Sequence, residues 1–399
     1  MTSLLQHHLR AAASNDELTQ KYLLLAQLYE QKQWHQLTNL LEEIIANESG
    51  FWYERNMLDL YFDFVSKFET KLNPMRLVQF CTKASKQFFT SSLMGSQEAH
   101  EAAVDFMEQI FSKVNKTSTG GGWEAGVVAK MRICQLQIQF GEMDQAKMLL
   151  KEFAPKLNML EGSVFEKQVK SSYYLAQSLL LRQLGPAGEF FQSMLNLFAQ
   201  KPDISSPEER LNLAVDVAVA ALVAEEVFNF GEILQYDLIK QELSTRPSHN
   251  WLYNLLVVFN LGDITAFNMQ MDQNRQAVLA SPTLANSVHI LRQKATLLSL
   301  VCMAFERPNQ ERDLTFQDIA NYTQIPIDQV EWLIMSAFSK KLLRGWIDGV
   351  EEVVHVSWIM PRVLDNAQIV LLAGKLEAWS LNVDVALTYE TLVPELFAS

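Results

Sequence analysis

RPNQERDLTFQDIANYTQIPIDQVEWLIMSAFSKKLLRGWIDGVEEVVHVSWIMPRVL, residues 307–364, is the stretch on which the fold turns. Asp313 or Thr315 can cap a short helix that reaches Tyr322. Both side chains carry an oxygen able to accept the free N–H groups of a first helical turn. Pro326 and Ile327 then open a second helix that continues to about Leu342, since proline is tolerated only at a helix start. Leu343–Ile347 and Val353–Trp358 bracket Asp348-Gly349, a hairpin signal. Val354 and Val356 alternate with His355 and Ser357, as a half-buried strand requires. Two helices followed by a two-stranded wing predict a winged-helix module.

Upstream of residue 307 the apolar spacing is helical nearly everywhere. Leu18, Tyr22, Leu25 and Tyr29 share one helix face; Leu37, Leu40, Leu41, Ile44 and Ile45 share the next. Gly141, Gly185, Gly231 and Gly262 each follow an apolar helical run, where glycine can supply a left-handed C-terminal cap. Helical hairpins punctuated in this way stack into a solenoid of degenerate repeats, with an irregular helical domain as the alternative. NKTSTGGGWEAG, residues 115–126, breaks the pattern and reads as an exposed flexible loop.

Downstream, Asp365 to about Leu387 reads as one long helix. Ile369, Leu372, Leu376, Trp379, Val383 and Ala386 alternate three and four apart, the spacing of a coiled-coil seam. Val370, Leu371, Ala373 and Leu381 widen the apolar arc, so the helix needs more than one neighbour. The fold class expected is therefore mainly α, with a helical-repeat solenoid, a winged-helix module and a C-terminal helix. The expected boundaries are 1–185 for the solenoid, 186–310 for further helices, 311–364 for the winged helix and 365–399 for the final helix.

Charge tests the nucleic-acid reading of such a module. The chain carries 46 acidic and 33 basic residues among 399, a formal charge of -13. Glu311–Arg362 holds eight acidic and five basic residues. The second helix, IDQVEWLIMSAFSKK, offers Asp328 and Glu331 where a DNA reader presents arginine, lysine, asparagine or glutamine. Protein contact is thus favoured over nucleic acid, and an anionic membrane surface is disfavoured on the same ground. No H-E-x-x-H, zinc-spaced Cys/His set, phosphate loop, G-x-S-x-G elbow or kinase signature is present. No cofactor, metal or catalytic residue is expected. His7 and His8 are near neighbours in a probable-tail segment without other ligands, and His355 reads as a packed strand histidine.

Cys81, Cys134 and Cys302 are sparse and far apart, which predicts buried free thiols. The first residues lack a secretory apolar core, no run approaches the roughly 18 apolar residues of a bilayer span, and the triplets at Asn47, Asn115 and Asn321 are chance glycosylation matches. A cytoplasmic and nuclear location is expected.

Helical repeats leading into a winged helix and a last helix resemble the PCI family, shared by the proteasome lid, the signalosome and a translation initiation factor. NFGEILQ (229–235), WLYNLLVVFNLGDITAF (251–267), FERPNQERDLTFQDIA (305–320) and WIDGVEEVVHVSWIMPRVLD (346–365) are similar to a PCI lid subunit of the proteasome regulatory particle. So are LYEQKQWHQLT (28–38) and KLNPMRLVQF (71–80). The resemblance implies a non-catalytic subunit, since the lid's deubiquitinating chemistry belongs to another, metal-binding subunit. It also implies lateral packing against other PCI lid subunits, a shared bundle of their C-terminal helices, and a neighbouring ubiquitin receptor. The residues expected at these contacts are Trp346, Ile347, Val354, Val356 and Trp358 in the wing, and Ile369, Leu372, Leu376, Trp379 and Val383 in the helix. The rival is a PCI adaptor of another complex, or one that binds nucleic acid through Lys340 and Lys341.

Overall fold

The computed structural model describes residues 16–46, 56–90, 96–116, 121–160, 162–201, 207–307, 312–363 and 366–392. The chain forms two compact units, Met1–Pro207 and Glu208–Ser399. The first contains α1 (Asp16–Glu30), α2 (Trp34–Ala46), α3 (Asn56–Asp63), α4 (Pro74–Thr90), α5 (Ser96–Asn115), α6 (Gly122–Phe140), α7 (Met143–Phe153), α8 (Glu166–Leu184) and α9 (Ala187–Ala199). Consecutive helices pack as hairpins, α1 on α2, α5 on α6 and α8 on α9. Leu25 and Leu37 of the first pair are fully buried, as their spacing requires. Ile44 and Ile45, with Leu18 and Tyr22, lie where no side chains are described.

Helix α6 is the centre of this unit, packed by α4, α5, α7 and α8. It is buried almost all round, from Ala125 to Ile138. That burial takes in Arg132, whose guanidinium donates to Ser85 Oγ at 3.0 Å and Gln135 Oε1 at 3.1 Å. A buried cation needs such partners. Cys81, Cys134 and Cys302 are buried free thiols, and burial pushes the Cys134 thiol up to about 12.

The glycine punctuation holds in part. Gly141 caps α6 at φ +87°. Gly185 also ends a helix but is extended, at φ -98°, because Pro186 excludes the helical region for the residue before it. Part of the expected loop at 115–126 is helix: Gly122, Ala125 and Gly126 are buried in α6, with Gly126 against Phe111. Residues 117–120 lie outside the described set. Because α8 and α9 pack together, the compact boundary follows α9 and does not fall at Gly185.

The second unit opens with α10 (Pro207–Val223), α11 (Phe230–Leu234), α12 (Asp237–Thr245), α13 (Asn250–Leu261), α14 (Ile264–Gln273), α15 (Arg275–Ala280), α16 (Pro282–Asn286) and α17 (Val288–Glu306). Phe230, Phe259 and Phe267 form a buried aromatic run with centroids 5.1 and 5.3 Å apart. Gly231 is not a cap: it lies inside α11, and a Cβ there would sit 2.9 Å from Val363 Cβ. Gly262 is a left-handed cap at φ +69°, and Asp263 then caps α14, accepting from Thr265 N and Ala266 N.

Helix α17 is the core of the unit, buried from Leu291 to Ala304 on most sides. By length and composition alone it could cross a membrane, which corrects the expectation that no run approaches that size. Its apolar side chains are taken up by packing. Lys294 of α17 is 2% exposed, and its ammonium donates to the carbonyls of Ala221 (2.8 Å), Leu222 (3.2 Å) and Ala224 (2.8 Å). Ala221 and Leu222 lie in the last turn of α10, whose final carbonyls lack intrahelical donors and form the negative pole of a helix dipole, and Ala224 follows it directly.

The winged helix follows as β1 (Asp313–Thr315), α18 (Phe316–Thr323), a 3-10 turn (Ile327–Gln329), α19 (Val330–Ser339), β2 (Leu343–Asp348) and β3 (Val353–Ile359). Thr315 is the cap, its hydroxyl accepting from Asp318 N at 3.1 Å. The sheet order is β1-β3-β2, all antiparallel, so the module has a third strand that the expected hairpin lacked. Helix α19 stops at Ser339, three residues before the expected end, and Lys341 turns left-handed at φ +58°. The hairpin is not a two-residue turn at Asp348-Gly349 either. Residues 349–352 form the loop, Asp348 Oδ1 accepting from Val350 N (2.9 Å) and Glu351 N (3.1 Å), and Glu352 takes the positive φ of 53°. Last comes α20 (Asn366–Leu392).

Candidate protein interface

The wing has an inner and an outer face. On β3, which packs on α17, Val354 and Val356 are 1% and 7% exposed. They are core residues, which corrects their assignment to a partner contact. β3 is the central strand, and its inner side chains are covered by the module's own helices. Ile347 pairs with Val354 and is half-buried beside it.

The outer face is aromatic. Trp346 is 61% exposed and stacks on His355 with ring centroids 4.8 Å apart. His355 Nδ1 lies 2.6 Å from Asp313 Oδ1, across the β1–β3 ladder. Trp358 is half-buried beneath the Arg344 guanidinium, 4.6 Å from its ring centroid. A bulge between Arg344 and Gly345 lets the backbones approach closely; any Cβ at Gly345 would overlap the His355 carbonyl oxygen.

Helix α19 presents a surface that sequence reasoning left off the interface. Trp332 is 74% exposed, with Met335 at 42% and Ile327 at 40%, beside exposed Asp328 and Glu331. Only the tertiary fold says that this part of the helix is uncovered. A helix face that is apolar and acidic suits protein, and repels phosphate.

The third surface is α20. Every described residue from Ile369 to Leu387 is exposed. Ile369, Leu372, Leu376, Trp379 and Val383, the residues expected at a seam, are exposed, at 37% to 67%. So are Val370, Leu371, Leu381, Val385 and Leu387, which puts apolar side chains on all sides. A solvated helix carries a polar face, and contiguous apolar surface on this scale marks an interaction site. The segment that follows β3 is anchored to the helices of the second unit. Arg362 donates to the Asn260 carbonyl and reaches Cys302 Sγ at 2.7 Å, while Val363 packs on Gly231.

At the other end of the module, Arg307 donates to the Asp313 carbonyl at 2.9 Å and to Asp318 Oδ2 at 3.0 Å. The Arg307 guanidinium and the Thr315 hydroxyl hold the Asp318 carboxyl below its ordinary range. These contacts fix the wing on the end of α17. No group of three or more His, Cys, Asp or Glu side chains able to hold a metal occurs among the described residues.

The model of PSD13 N-terminal repeats matches residues 21–256, and the PCI domain model matches residues 271–358. The chain belongs to the 26S proteasome non-ATPase regulatory subunit 13 family. It is 31% identical to the 26S proteasome non-ATPase regulatory subunit 13 of Dictyostelium discoideum, over 88% of this chain and 87% of that protein. Homolog A of the same subunit in Arabidopsis thaliana is 30% identical over 97% of each chain. Eukaryotic translation initiation factor 3 subunit M of Aspergillus clavatus is 24% identical over 83% of this chain and 68% of its own length. The proteasome subunits are thus nearer in identity and coverage than the initiation factor, and the PCI match coincides with the winged helix and the helices before it.

Proposed function

We propose that this chain is a non-catalytic structural subunit of the proteasome regulatory-particle lid, supporting lid assembly and thereby ubiquitin-dependent degradation. The observation that carries the reading is α20, whose exposed apolar side chains point outward on every side. Insertion among other C-terminal helices would bury them, and each fully buried leucine or valine contributes about 1.5–3 kcal/mol. The outer wing, through Trp346 and Trp358, is the surface offered to neighbouring PCI subunits, and the exposed Trp332 of α19 is a further anchor. Aromatic side chains of this kind dominate interface energetics. The partners proposed are other PCI-domain lid subunits, their C-terminal helices and an adjacent ubiquitin receptor, in cytoplasm and nucleus. The acidic residues on α19 argue against nucleic acid as a partner.

The test is recovery of lid subunits with the tagged full chain carrying Leu372→Asp and Leu376→Asp. Both positions are exposed, so the chain should keep its unfolding midpoint while co-purified lid subunits fall about tenfold or more. Recovery equal to that of the unaltered chain refutes the docking role of α20.

A further inference from the structure

The first unit contains a cleft of about 620 Å³ between α5, from Ser96 to Glu108, and the α6–α7 turn. Glu101, Asp105, Glu108 and Glu142 line it, and none of its lining residues is a lysine or arginine. Lys130, outside the lining, comes within 3.8 Å of Glu108 alone. Residues 101, 105 and 108 follow one stripe of α5, a row about 10 Å long. Carboxylates on a helix stripe are ordinarily just a solvated face. Two buried groups make this stripe different.

His100 and Gln137 line the same cleft and are only 6% and 8% exposed. His100 Nδ1 and Gln137 Oε1 nevertheless have no hydrogen-bond partner. The Gln137 amide already donates to Gln145 Oε1 at 2.9 Å, which fixes its free atom as the acceptor. Buried polar atoms are nearly always paired, and an unpaired one is costly. The His100 ring also stacks on Phe140, centroids 3.9 Å apart and planes 24° from parallel. The cleft is thus lined by the aromatic pair His100–Phe140, against which Phe89 also packs with its centroid 5.7 Å from that of Phe140, by an unpaired buried acceptor and by a row of negative charge, and no metal-binding group of His, Cys, Asp or Glu is found among the described residues.

A guanidinium meets all three conditions: it is planar, stacks on aromatic faces, and carries five donors and no acceptor. We propose that this cleft seats an arginine-bearing segment of a partner protein, running along the α5 carboxylates with one guanidinium over the His100–Phe140 stack. The row of carboxylates extends well beyond one guanidinium, which favours a peptide segment over a small free cation. The cleft shares no residue with the wing or α20, so its failure leaves the lid reading untouched.

The test is fluorescence anisotropy of the full chain with a fluorescein-labelled glycine-rich peptide carrying two arginines, against the same peptide with citrulline in their place. Two variants are compared: Asp105→Asn with Glu142→Gln in the cleft, and Glu225→Gln with Glu226→Gln, exposed acids outside it. The cleft variant and the citrulline peptide should each bind about tenfold more weakly, and the control variant should match the unaltered chain within about twofold. Equal weakening by both variants would mean attraction to net negative charge only, and would overturn the proposal. So would unchanged affinity in the cleft variant, or failure of the arginine peptide to bind the unaltered chain.

Discussion

Lys294 is the most sharply testable group in the second unit. Its ammonium sits among the α10 carbonyls with the Phe228 and Phe230 rings 5.6 and 5.0 Å away, and no carboxylate pairs with it among the described residues. Burial, with a smaller contribution from the nearby Lys340 ammonium, lowers its pKa from the ordinary 10.5 to about 7. Below pH 7 both folded and unfolded states hold the proton, and the folded state carries the full cost of the buried charge. As pH rises from 7 toward 10.5, the folded state releases the proton first, so the unfolded state binds more protons and stability must increase. At 1.36 kcal/mol for each pH unit between the two pKa values, the whole span is worth about 4–5 kcal/mol. Lys294→Met keeps the aliphatic stem and removes the titration. Urea unfolding of both proteins at about pH 7 and about pH 9 should show the lysine form gaining about 2 kcal/mol on the methionine form. Comparing the two cancels titrations elsewhere, such as the thiols. Parallel pH profiles would refute the reasoning and mean that the three carbonyls hold the ammonium charged throughout.

Two further outcomes follow from packing. Gly141 and Gly262 are both left-handed helix caps, but a methyl at Gly141 meets nothing within 4 Å, whereas one at Gly262 collides with Cys302 Sγ and lies 2.9 Å from the Leu298 carbonyl oxygen. Gly141→Ala should cost only the backbone penalty of about 1–2 kcal/mol, and Gly262→Ala about 1–3 kcal/mol more for overpacking; hydrogen exchange of α6 and α13 measures each locally, and equal losses would contradict the contact geometry. Trp332→Ala should leave folding stability within about 0.5 kcal/mol, as for an exposed site, yet weaken recovery of PCI partners in the purification described above. A large loss of stability would place that ring inside the fold instead.

How much of this was legible depends on whether a feature is local or tertiary. Thr315 and Pro326 announce their helices by chemistry confined to one turn, so the winged helix could be read directly. The coiled-coil spacing of α20 is equally local. β1 could not be read, because three residues are too few to show alternation and the strand exists only through its ladder to β3. Alternation on β3 separated Val354 and Val356 from His355, but period alone cannot say which face a neighbour covers. Trp332 was missed for the same reason on a helix. Gly231 resembled a cap because it follows an apolar run; its true constraint, the approach of Val363 from over a hundred residues away, has no local signature. The cleft beside α5 is of that kind too. It arises where His100, Gln137 and Glu142 converge from separate helices.

The outward-facing helix α20 also has a bearing on supply. A chain that keeps ten large apolar side chains in water on one segment is at its lowest free energy only when something covers them. Made in excess over its partners, it self-associates through that segment, since an apolar helix pairs with a copy of itself by the same burial that draws it to another helix. Solubility and assembly are then a single equilibrium, governed by the ratio of this chain to its partners as much as by its own concentration.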